Sequence, residues 1–223
     1  MIDDADRWDA IHKKTHKPDE PHSQYAEEVE KLFPRKSLVV DMGAGTGLDA
    51  LYFLKNGHSV IAFDISPFAL DIITQKASQY NLSTKLVTRK VDFGLHALPV
   101  KDSSVDVVYS RISLNYFGAK QTTKIFKDIY RILKSSGRAF VTLKSPDDTV
   151  EMEYLEKTGS IYEPNVYIEG GMLRSRFTQE QLREILKDTD IPGFNIRSFE
   201  EDLSSKGDSH HPRLFVNEVT FSK

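Results

Sequence analysis

The stretch LVVDMGAGTGLDALYFLKNG, residues 38–57, limits the possible folds more than any other part of this chain. An apolar run ends in a carboxylate, Asp41. Glycines then occupy positions 43, 45 and 47, and a helical pattern follows up to Gly57. An apolar run of this length reads as a strand buried on both faces. Glycines immediately after it let the chain turn tightly and let a ligand come close to the backbone. In an open α/β sheet that turn lies at the carboxyl edge, where ligands bind.

The rest of the chain repeats this rhythm. HSVIAFD reads as a second strand. Ser66 and Pro67 supply an N-cap and a first-turn proline for a helix running to about Tyr80. TKLVTRKVDF, SVDVVYSRIS and GRAFVTLKS hold three further strands, with the helix TTKIFKDIYRILK before the last of them. Strands alternating with helices, joined by right-handed crossovers, predict a Rossmann-like α/β fold. The expected sheet is doubly wound, mostly parallel and seven-stranded. GFNIRSFEEDL and RLFVNEVTFS should close it as a C-terminal antiparallel hairpin. Residues 1–223 are read as one domain. Within it, 1–35 form an N-terminal covering segment, 36–145 the ligand-binding core, 146–177 an aperiodic insertion and 178–223 a helix and hairpin.

Which ligand fits the glycine turn follows from spacing and charge. A dinucleotide fingerprint needs its third glycine at position 48, which is Leu48, and a phosphate-binding loop needs a Lys and a Ser or Thr after the glycines. Neither is present, and a carboxylate beside the turn repels an anion while favouring a cation. A cationic sulfonium such as S-adenosylmethionine satisfies these constraints. VVDMGAGTG resembles the first motif of the class I S-adenosylmethionine-dependent methyltransferases. Asp64, VDF at 91–93, LPVKDSSVDVVYS and IYRILKSSGRAFVT resemble that family's later motifs, in order. RWDAIHKK and the run through DISPFAL are similar to small-molecule methyltransferases of the tellurite-resistance and thiopurine type, in which an N-terminal aromatic segment covers the cofactor.

The resemblance implies S-adenosylmethionine as cofactor and contacts from Asp41, Gly43, Ala44, Gly45, Asp64, Ile65, Asp92, Phe93 and Ser110, with Trp8 closing over them. In the family, the carboxylate at Asp64 holds the ribose hydroxyls and the one at Asp92 lies beside the adenine. The segment SRISLNYF does not match the N/D-P-P-Y/F motif that orients an amino acceptor. Candidates for work on the acceptor are Arg111, Tyr116 and His211, with Asn115, His210, Tyr162, Tyr167, Met172 and Arg174 as further possible wall residues. Each has a purely structural alternative: ion pairing for Arg111, core packing for Tyr116 and an exposed loop for the histidines.

Composition excludes several classes. With no cysteine there is no disulfide, thiolate metal site or cysteine nucleophile. No metal site is expected elsewhere. The net charge of −3 gives no general attraction to a nucleic-acid backbone. No run reaches the roughly 18 apolar residues of a membrane span, and the acidic start MIDDAD does not resemble a signal peptide. A cytoplasmic protein methylating a small molecule is the expectation. The alternatives are an RNA or protein methyltransferase and a non-catalytic binder of S-adenosylmethionine. The oligomeric state is left open.

Overall fold

The computed structural model describes residues 4–203 and 213–223. His210 and His211 lie outside the described residues. In chain order the elements are α1 (Asp4–Thr15), α2 (Gln24–Glu30), β1 (Leu38–Met42), α3 (Leu48–Lys55), β2 (Ser59–Asp64), α4 (Pro67–Gln79), β3 (Leu86–Lys90), β4 (Val105–Arg111), α5 (Ala119–Ile132) and β5 (Leu133–Lys144). Then come α6 (Thr149–Thr158), β6 (Ser160–Glu163), β7 (Val166–Glu169), β8 (Met172–Ser175), α7 (Gln179–Lys187), β9 (Phe194–Asp202) and β10 (Arg213–Ser222).

Seven strands form one sheet in the order β3-β2-β1-β4-β5-β10-β9. The first five run parallel, and β10 pairs antiparallel with both β5 and β9. This is the expected doubly wound sheet, and the last two strands pair as predicted. The period of two along β1 explains its two-sided burial: Val39 packs among residues of α2, α3 and α4, while Val40 joins those of α5 and α7. Both layers are dense, with Phe53, Phe63, Phe126 and Ile129 fully buried.

Local chemistry sets the helix ends. Ser66 Oγ accepts from Ala69 N at 3.1 Å to cap α4, and Thr178 and Gln181 form a reciprocal capping box on α7. Gly57, at φ +94° just beyond α3, takes the left-handed position that ends a helix cheaply.

Two regions differ from the sequence reading. The polar N-terminal segment is a twelve-residue helix, α1, with Ala5 as its only buried residue. The insertion 146–177 is not aperiodic: it contains α6 and a separate three-stranded antiparallel sheet, β6-β7-β8. Strands of four residues are too short for their alternation to stand out in sequence. Because β1 pairs with β2 on one side and β4 on the other, the chain reverses direction across the sheet there. That switch point is where an α/β sheet leaves a crevice.

Candidate cofactor site at the carboxyl edge of the sheet

The glycine turn leaves β1 under tight constraint. Gly43 N and Ala44 N both donate to Phe63 O, at 2.8 Å and 2.9 Å, and Gly45 N donates to Asp64 Oδ2 at 2.8 Å. Gly43, Gly45 and Gly47 all have positive φ. At two of them space is also closed: a Cβ on Gly43 would lie 2.2 Å from Ser113 Cβ, and one on Gly47 would lie 2.4 Å from Ile73 Cγ1. Asp64 Oδ1 accepts from Ser66 N at 2.8 Å, so this one carboxylate ties the glycine turn to the start of α4.

A cavity of about 280 Å³ opens beside the turn. Gly43, Gly45, Asp64, Ile65, Asp92, Phe93 and Trp8 line it, as do Arg111 and Tyr116. An adjoining cavity of about 260 Å³ shares Asp4, Trp8, Asp92, Tyr116 and Phe117 with it and also takes in Met172. These sizes suit a small ligand.

Three predicted contacts do not reach the cavity. Asp41 is buried, and that burial, reinforced by the Asp49 and Asp64 carboxylates, pushes its carboxyl well above the usual range. Burial therefore works against the charge that the sequence argument gave Asp41. Ala44 packs against the core. Ser110 is fully buried and bonds to Met42 O at 3.1 Å and Ser113 Oγ at 2.5 Å. The cavity's negative character comes instead from Asp4, Asp64 and Asp92.

Of the acceptor candidates, Arg111 lines the cavity but is bound to Glu201 of β9. Burial opposes its charge and the Glu201 contact outweighs this, so the guanidinium stays protonated. Burial raises the Tyr116 phenol even with Arg174 over its ring, so it is a neutral hydroxyl at neutral pH. Asn115 does not line the cavity: its Nδ2 donates to Ile112 O at 2.7 Å and its Oδ1 accepts from Lys144 N at 2.8 Å. Tyr162 is exposed and Tyr167 is buried.

Sequence reasoning missed Ser113 and Ile112. Ile112 has φ +49°, a strained value for a β-branched residue. It is fixed by bonds from its N–H to Thr142 O at 2.9 Å and Thr142 Oγ1 at 3.2 Å, together with the Asn115 contact. No feature of the sequence signals that turn. His12, one helical turn from Trp8, also stands in the cavity wall.

α1 walls one side of the cavity through Asp4, Trp8 and His12. Its Asp9 accepts from Ser66 Oγ and, at 3.1 Å, from Phe68 N. Arg7 donates to Gly171 O at 3.0 Å, in the turn between β7 and β8. Trp8 stacks edge-on against Tyr116, with ring centroids 4.8 Å apart.

Residues 39–137 match the methyltransferase domain family. The fold is shared over nearly the whole chain with an S-adenosylmethionine-dependent methyltransferase of Methanosarcina mazei, at TM-score 0.71 and 18% identity, covering 88% of this chain and 96% of that one. Residues 39–137 thus resemble a methyltransferase domain, and the chain shares its fold with that methyltransferase. An uncharacterized methyltransferase-like protein of Schizosaccharomyces pombe is 28% identical over 59% of this chain and 47% of its own length. An arsenite methyltransferase of Halobacterium salinarum is 32% identical over 55% of this chain and 32% of its own length. The chain thus spans less than half the length of these curated relatives.

The lining fits this family's cofactor. Three carboxylates face the cavity, and the lining arginine is already neutralised by Glu201. That balance attracts a sulfonium and repels a pyrophosphate. Among the described residues there is no cluster of three or more His, Cys, Asp or Glu that could hold a metal, and no helix long and apolar enough to cross a membrane.

Proposed function

We propose that this chain transfers a methyl group from S-adenosylmethionine to a small-molecule acceptor. The observation that carries the small-molecule reading is α1, tied to α4 through Asp9 and to the 170–171 turn through Arg7. Its Asp4, Trp8 and His12 line the cofactor cavity and narrow the approach to it from that side. The tellurite-resistance and thiopurine resemblance, with its aromatic N-terminal cover, points the same way.

Bound S-adenosylmethionine supplies a methyl group already activated by a positive sulfur, and that charge disappears on transfer. What the chain adds is alignment and exclusion of water. Asp64 and Asp92 are the residues that would hold the ribose and flank the adenine, as the family pattern implies. Trp8, Phe93, Tyr116 and Phe117 supply the apolar walls. Arg111 and Ile112 also line a third cavity of about 700 Å³ beyond the end of β4. Lys144, Asp148, Glu151 and Tyr154 border that third space, which is the proposed acceptor chamber. Tyr116 lines the cofactor cavity and, kept protonated by burial, faces the ligand as a hydroxyl rather than as a base.

The test is formation of S-adenosylhomocysteine from methyl-labelled S-adenosylmethionine with a panel of small thiols, amines, carboxylic acids and metalloid oxyanions. Total RNA and a protein extract run in parallel. The reading expects label in a small acceptor. Label in RNA or protein alone would refute it, and binding without turnover on any acceptor would leave only a cofactor-binding protein.

A further inference from the structure

His12 projects from α1 into the cavity at an unusual distance from its neighbour. Its Nε2 lies 4.0 Å from Asp64 Oδ1, too far for a direct hydrogen bond and too near to be unrelated. The ring also faces the glycine turn, with its Cε1 3.4 Å from where a Cβ on Gly45 would stand. Among the described residues its ring makes no hydrogen bond, although its side chain is only 17% exposed. Burial lowers its pKa, against the opposing pull of Asp64 and Asp9, so the imidazole is neutral at physiological pH. A neutral ring offers one N–H donor.

We infer that His12 is a second ligand for the cofactor's ribose, with its Nε2–H donating to a hydroxyl whose own proton goes to Asp64. The inference rests on the S-adenosylmethionine reading above. A single hydroxyl satisfies both partners, since it accepts from the ring and donates to the carboxylate. Asp64 keeps room for it, because the backbone bonds from Gly45 and Ser66 use one lone pair on each oxygen. The placement of His12 is built into the fold. One helical turn away, Asp9 accepts from Ser66 Oγ and Phe68 N and so fixes α1 on the first turn of α4. Trp8, on the same face, rests against Tyr116. α1 is thus part of the binding site as well as its cover, and the ribose fastens the helix to the core.

The chain's single tryptophan, Trp8, reports the docking of α1 by its emission. Calorimetry with S-adenosylhomocysteine and its 2′-deoxy and 3′-deoxy analogues tests the ribose contact. His12→Ala should weaken S-adenosylhomocysteine about 5- to 20-fold, the loss of one hydrogen bond to a partly buried group. It should weaken one deoxy analogue far less, because that analogue lacks the hydroxyl in question. His12→Gln, which keeps an N–H donor, should recover most of the affinity. Equal losses for all three ligands, with or without a red shift of Trp8, would overturn the inference and leave His12 as a helix-docking residue. So would unchanged affinity in His12→Ala. If the wild-type protein fails to bind S-adenosylhomocysteine at all, the cofactor reading itself falls and takes this inference with it.

Discussion

Replacing Gly43 with alanine tests the tightest point of the site. Two separate costs are expected. Its φ of +71° is left-handed, which costs an L-residue about 1–2 kcal/mol. The new Cβ would stand 2.2 Å from Ser113 Cβ, far inside carbon–carbon contact, and relief of such overpacking costs about 1–3 kcal/mol. Gly43→Ala should therefore lose about 2–5 kcal/mol in urea unfolding, the sum of those two terms. Ser113→Gly removes the obstacle and leaves the backbone cost in place. It also removes the Ser113 bond to Met42 O, at 2.9 Å, but that loss is common to both arms of a double-mutant cycle. Measured in the Ser113→Gly background, Gly43→Ala should cost only the remaining 1–2 kcal/mol or so. Equal costs in the two backgrounds would refute the close approach, and a cost below about 0.5 kcal/mol in either would refute the strained turn.

Three further outcomes are expected. Glu201→Leu leaves Arg111 as an unpaired, largely buried cation and should destabilise by about 3–5 kcal/mol, while adding Arg111→Leu should restore part of this; additive losses in urea midpoints would argue against the pair. Burial raises the Glu151 carboxyl, but Arg176 and Lys144 overcome this and hold it at about 2. Its folded pKa lies below the unfolded value of about 4.3, so its contribution is complete above that pH and lost as pH falls toward 2. The stability gap between wild type and Glu151→Gln should thus be flat from pH 7 to 5 and narrow below about 4.3; a constant gap at pH 3 would contradict it. Ser66→Ala removes both the α4 cap and the anchor for Asp9, so it should cost about 1 kcal/mol or more and red-shift Trp8 emission; an unshifted spectrum would show that α1 docks without Ser66.

How much of this was legible in the sequence depended on how each element is stabilised. β1 to β5 and their helices bury whole faces, and burial writes a period into the sequence. α1 buries only Ala5 and is held by polar ties from Asp9 and Arg7 to distant residues, which no local pattern encodes. The β6-β7-β8 sheet escaped notice because Ile161, Tyr162 and Ile168 are exposed and blur the alternation. In the site, Asp64, Asp92, Gly43 and Gly45 were placed by motif spacing. Asp41 was assigned to the cofactor by charge and by resemblance, whereas it is buried and does not line the cavity. Ile112 and Ser113 were invisible because a left-handed isoleucine is a tertiary outcome: Thr142 and Asn115 enforce it against the residue's own preference.

The central claim is electrostatic: Asp4, Asp64 and Asp92 make this cavity a site for a cationic adenosyl ligand. Isothermal titration of the purified protein with S-adenosylmethionine, and separately with NADH and ATP, tests it most directly. The account predicts saturable heat with S-adenosylmethionine and none with either phosphate-bearing nucleotide. Saturation by NADH or ATP, with no heat from S-adenosylmethionine, would contradict it.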